Sequence, residues 1–70
     1  MKVLLRHAHS GMYLSLAGTW VLDVSEAFDF GGPEPAIKYS HENALEDLEI
    51  VLRYDNPPSE HALKVPQLKP

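Results

Sequence analysis

One stretch of this chain reads as a helix, and what flanks it reads as strand, so a single helix has to serve an entire sheet. Residues 31–45 open on Gly31-Gly32-Pro33, and Pro33 and Pro35 both suit a first helical turn, where a missing amide hydrogen costs nothing. Glu34 complements the positive end of the helix dipole. Ala36, Ile37, Tyr39, Ser40 and Asn43 then share one broad arc at about 100° per residue, with Lys38 and Glu42 outside it. The pattern ends near Asn43 or Ala44. One helix covers one face of a sheet. The other face must be polar, be wrapped by the end of the chain, or be buried against a second molecule, and function is most economically sought there.

The strand signals are alternations. Val3, Leu5 and His7 alternate with Lys2, Leu4 and Arg6, and after the turn-forming residues 8–11, Met12, Leu14 and Leu16 alternate with Tyr13 and Ser15. These two runs form a hairpin. Asp23 ahead of Glu26 suggests one capped helical turn, and Phe28 and Phe30 share a face, as on a third strand. The clearest strand places Leu48, Ile50, Leu52 and Tyr54 opposite Glu49, Val51, Arg53 and Asp55, and Asn56-Pro57-Pro58 ends it. A three-stranded meander followed by a right-handed helical crossover brings the fourth strand in parallel beside the first, in the order 3-2-1-4. The expected fold is α+β: a single domain, β-β-β-α-β, with one helix packed on one face of a small, mostly antiparallel sheet. Residues 1–56 form the compact domain. Residues 57–70 form a proline-containing C-terminal tail, flexible or extended, weakly apolar at Leu63, Val65 and Leu68, with disorder favoured in the free monomer.

A chain of 70 residues buries only about 60% of the surface it exposes when unfolded, so its stability is marginal and self-association is a natural supplement. The absence of cysteine removes disulfides, thiolate metal sites and thiol nucleophiles, which makes the cytoplasm the default compartment. The apolar run at the start is too short for a signal peptide, and nothing approaches the roughly 20 apolar residues that cross a bilayer, so no membrane partner is expected. The net charge is -4, and between residues 23 and 49 eight acidic residues face only Lys38, while Lys2, Arg6 and Arg53 sit on strands. That distribution argues against wholesale phosphate binding and leaves room for a local basic spot on the sheet.

Two resemblances attach to particular residues. Leu4-Leu5-Arg6, Gly11, Tyr13-Leu14, Trp20, Asp23, Glu26-Ala27-Phe28, Phe30, Ala36, Leu45, Glu49-Ile50-Val51-Leu52 and Asp55-Asn56-Pro57 together resemble a group of very small bacterial and phage proteins of unassigned function. That resemblance implies a compact sheet with one helix and carries over no catalytic residue; Ala44 stands where similar chains often have Gly at the helix exit. Val3-Leu4-Leu5-Arg6-His7 is similar to the start of the histidine phosphatases, in which the His is phosphorylated and the Arg binds phosphate. Ala8 replaces the Gly expected next, and only Arg53, His41 and His61 remain to complete such a site.

The remaining candidates have simpler readings. His7 and His9 point to one side of an extended chain and would need His61 or Glu60 to make an open metal site; exposed imidazoles beside a hairpin turn account for them, and no metal or other cofactor is expected. His41 suits the negative end of the helix, Trp20 closes a small core or its rim, and Glu46, Asp47 and Glu49 lack the pattern of a calcium loop. Asp29 and Glu34 repel any anion from Gly31-Gly32.

With the apolar alternation turned to the helix, Leu4, Arg6, Tyr13, Ser15, Val51 and Arg53 line the other side, a mixture of apolar, aromatic and basic groups typical of an interaction face. The expected function is a non-enzymatic protein-interaction module, self-associating through this face or through a sheet edge with the tail as an added strand. The alternative is weak single-stranded nucleic-acid binding, with Tyr13 stacking a base and Arg6 and Arg53 on phosphates, against which the net acidity counts. Phosphate chemistry from Arg6 and His7 ranks third.

Overall fold

A computed structural model describes residues 1–65, and in it the chain forms one antiparallel sheet with one helix on it. The strands are β1 (Lys2–His7), β2 (Tyr13–Leu14), β3 (Trp20–Val21), β4 (Leu48–Asp55) and β5 (Pro58–Lys64), ordered β3-β2-β1-β4-β5 across the sheet. The helix, α1 (Pro33–Glu42), packs on β1 and β4. The fold is α+β, as the periodicities indicate. Among the described residues no helix is long and apolar enough to cross a membrane.

The ends of α1 follow from local chemistry. Gly32 precedes Pro33 at the N-terminus, where the proline's missing amide would have no partner in any case. At the other end Leu45 N–H donates to the Ser40 carbonyl at 2.9 Å and Ala44 N–H to that of His41 at 3.2 Å, a Schellman pair of bonds. Ala44 takes the left-handed φ of 52° that the motif requires, without the glycine that adopts it freely. Leu45 packs against the core and helps to hold it there.

Beneath the helix lie Val3, Leu5, Leu14, Leu48 and Ile50 with Ala36, rimmed by Trp20, Phe30, Ile37, Tyr39, Leu45, Leu52 and Val65. Ser40, completely buried in the helix face, donates its hydroxyl to the Ile37 carbonyl at 2.7 Å and so carries no unpaired group into the core.

Three features of the connectivity differ from the sequence expectation. The third strand is Trp20–Val21, not residues 28–30, because β3 completes a tight return beside β2 in which Ser15 N–H donates to the Thr19 carbonyl at 2.8 Å. Residues 28–30 instead lie beside the sheet irregularly: Phe28 N–H donates to Leu14 and Phe30 N–H to Val3, while Asp29 Oδ1 accepts from Val3 N–H at 3.0 Å and Gly31 N–H at 2.9 Å. A carboxylate there does the work of a strand carbonyl. The second correction is that β4 runs antiparallel to β1, from Lys2↔Arg53 to His7↔Leu48, so α1 is not a crossover between parallel strands. The crossover rule applies only once both strands are known to be parallel. Third, the segment read as the start of a tail returns through Asn56–Pro57, a cis peptide, and pairs along the whole of β4 as β5. Leu68 and the rest of residues 66–70 lie outside the described residues.

Candidate functional site

Alternation along β1 and β4 sends Leu4, Arg6, Glu49, Val51 and Arg53 to the face away from α1. The site expected there was Leu4, Arg6, Tyr13, Ser15, Val51 and Arg53, and the structure divides that set. Leu4 and Val51, paired in register, are 1% and 0% exposed and offer no contact area. Tyr13 is half-buried, with the Arg6 guanidinium 6.0 Å from its ring centroid. Ser15 bonds Thr19, hydroxyl to hydroxyl at 2.8 Å.

Ion pairs cross the same face. Arg6 Nε lies 3.2 Å from Glu49 Oε1, and Arg6 Nη1 lies 3.0 Å from Glu60 Oε1. Arg53 Nη1 reaches the other oxygen of Glu60 at 3.4 Å. Arg6 stands on β1 and Glu60 on β5, so their bond bridges β4 at the level of Val51. Burial disfavours the charge of Arg6, yet contacts with Tyr13, Glu49 and Glu60 outweigh it and raise the guanidinium above its ordinary value. Both arginines proposed for phosphate binding are therefore already engaged by carboxylates. Arg6 and His7 also project from opposite faces of β1, so they do not converge on one phosphate.

The histidines do not converge either. The His7 and His9 rings are 6.0 Å apart, His9 Nε2 lies 3.7 Å from Asp47 Oδ2, and the indole of Trp20 meets the His7 ring edge-on at 5.7 Å. His61 stands on β5 opposite Leu52 and against Tyr54, whereas His7 lies opposite Leu48, at the other end of β4. Among the described residues no group of three His, Cys, Asp or Glu side chains is placed to hold a metal ion. An apolar groove between Leu14, Leu16, Phe28, Phe30 and Tyr39 has Ser15 as its one polar side chain besides the Tyr39 hydroxyl, and Thr19 occupies that serine.

What the face expectation missed is the edge. Every residue of β5 is exposed, including Leu63 at 53%, and Tyr54 at the end of β4 is 37% exposed, while the helix packs on β1 and β4. The direction of its backbone groups follows from the ladder. Ala8 N–H donates to the Asp47 carbonyl and His7 N–H to Met12, so Leu48, Ile50 and Leu52 turn their amides and carbonyls toward β5; Val65 N–H accordingly donates to the Leu48 carbonyl at 3.1 Å. Antiparallel alternation then points the N–H and C=O groups of Glu60, Ala62 and Lys64 outward, along the open edge. Pro58 has the same parity, so its missing N–H falls on the open side and costs the ladder nothing. Ser59, His61 and Leu63 on one side and Glu60, Ala62 and Lys64 on the other make no apolar alternation, so no periodic sequence signal marks this strand.

Comparison of the chain with protein-family models, curated proteins and solved structures finds no match.

Proposed function

We propose that this protein is a non-enzymatic interaction module that binds an extended peptide segment by strand addition along β5. The observation that carries the reading is the seven-residue edge itself, with the backbone groups of Glu60, Ala62 and Lys64 directed away from the sheet. Folded proteins blunt such an edge with a bulge, an inward-pointing charge, edge lysines or a proline, and β5 carries Pro58 at its start and Lys64 at its end but no bulge between them. Here the register is continuous from Pro58 to Lys64, and the proline stands at the first position. The opposite edge, β3, has two residues and little to offer a partner. Main-chain pairing supplies affinity in this mode, and the exposed Leu63, His61 and Tyr54 on one side with Glu60 and Lys64 on the other supply preference.

The test is a selection of random heptapeptides on the immobilised full chain, repeated on Ala62→Pro, which removes an outward N–H and leaves the β4 ladder intact. Peptides that bind the native chain, alternate apolar with polar residues and lose the variant support strand addition. Peptides indifferent to the variant, or none at all, refute it.

A further inference from the structure

The edge of β5 is complementary to itself. An antiparallel partner must place outward-directed residues opposite one another, which confines a second copy of β5 to registers that pair even-numbered residues with even-numbered ones. One of these registers sets Ala62 on the two-fold axis, opposite Ala62 of the other copy, and sets Glu60 opposite Lys64 twice. All the outward groups of Glu60, Ala62 and Lys64 are then paired, and Pro58 stays outside the ladder. Shifting the copies by two residues in one direction places the N–H-lacking Pro58 opposite Lys64; shifting them in the other direction leaves Glu60 beyond the paired segment.

Charge selects the same arrangement. Among the described residues Lys64 takes part in no ion pair, although it stands across from Glu49 within its own sheet. Glu60 accepts one arginine on each oxygen and, as an ionised carboxylate with about four lone-pair sites, has room for a lysine approaching from the open side. On the helix-side face this register puts His61 of each copy opposite Leu63 of the other, covering the most exposed apolar side chain of the strand. A two-fold axis normal to the sheet keeps both helices on one side, so the exposed Leu63 side chains of the two copies become diagonal neighbours in the trough between them.

We infer that the partner of β5 is a second copy of this chain, joined antiparallel with Glu60 opposite Lys64 and Ala62 on the two-fold axis to give a continuous ten-stranded sheet. The inference rests on the strand-addition reading above, and its test separates the two. Because the chain has no cysteine, single cysteines report register. His61→Cys mixed with Leu63→Cys places the thiols at a non-hydrogen-bonded pair, about 4.5 Å between Cα atoms and within disulfide range. The mixed disulfide should form faster than either variant links to itself. Sedimentation of the native chain up to about 1 mM should show a dimer that Ala62→Pro abolishes and that Lys64→Glu weakens roughly tenfold at low salt, less at high salt. Preferential self-linking of His61→Cys overturns the register. A native chain that stays monomeric throughout overturns self-pairing, while heptapeptides that still depend on the Ala62 amide would leave strand addition standing.

Discussion

Replacing Leu4 by alanine tests whether the face away from the helix hides a second apolar layer. The side chain is 1% exposed, pairs with the fully buried Val51, and lies beside the Arg6 bonds to Glu49 and Glu60. Lost transfer energy amounts to about 2 kcal/mol, and the unfilled cavity raises the expected cost to ~2–5 kcal/mol. A domain of this length has roughly 4–10 kcal/mol in total, so the variant forfeits a large share of its stability. At about 4–8 °C per kcal/mol, the midpoint should fall by at least roughly 8 °C. Urea and thermal unfolding followed by circular dichroism measure this directly, with Lys2→Ala, at an exposed position on the same face, as the comparison. Surface substitutions ordinarily stay within about 0.5 kcal/mol. A Leu4→Ala variant inside that range would refute the buried layer and return Leu4 to the open surface that alternation alone suggests.

Further substitutions probe other links in the same reasoning. Ala44→Gly relieves the left-handed backbone at the helix exit and should stabilise the fold by about 0.5–1 kcal/mol in urea unfolding, since glycine adopts that φ without a Cβ clash and returns part of the gain as unfolded-state entropy. Hydrogen bonds from Val3 and Gly31 hold the Asp29 carboxyl below its ordinary value, so its contribution is complete above the unfolded pKa and is lost as pH falls through the folded one. Acid titration of stability should therefore be steeper for the native chain than for Asp29→Asn below about pH 4; parallel curves would exclude the role assigned to this group. Glu60→Gln breaks the ion pairs to Arg6 and Arg53 without opening the core and should cost on the order of 1 kcal/mol in 0.1 M salt, less in 1 M. His61→Pro removes an amide that faces β4, whereas Ala62→Pro removes one that faces outward, so amide exchange of β4 should accelerate only in the former.

Much of the layer plan was legible because it depends on local periods. The arc from Ala36 to Ser40 and the alternations in β1 and β4 each define the side that meets the other layer, and those signals survive whatever the connectivity. The turn at Val24–Glu26, where Asp23 Oδ1 accepts from Ser25 N–H at 2.9 Å, follows from capping chemistry within four residues. The order 3-2-1-4 holds, with β5 added beyond β4, but strand identity was less legible, since two-residue β2 and β3 hold too few alternations to register and residues 28–30 imitate a strand by bonding irregularly to β1 and β2. β5 is exposed on both faces, so no hydrophobic period marks it and the prolines dominate the reading. The candidate face failed at Leu4 and Val51 because exposure on an uncovered sheet is decided by neighbours distant in sequence. Arg6 and Glu60, 54 residues apart, meet across the strand that lies between them.

The bond between Arg6 and Glu60 also acts as an index pin. Sliding β5 along β4 by one residue would turn Glu60 toward the helix and present Ser59 or His61 to Arg6, and sliding it by two would offer alanine or proline there instead. Neither displacement retains a carboxylate between the two arginines. The ion pair thereby adds its preference to the reading frame that the ladder sets, and any strand that docks beside it meets the same ordered row of donors, acceptors and charges at every encounter.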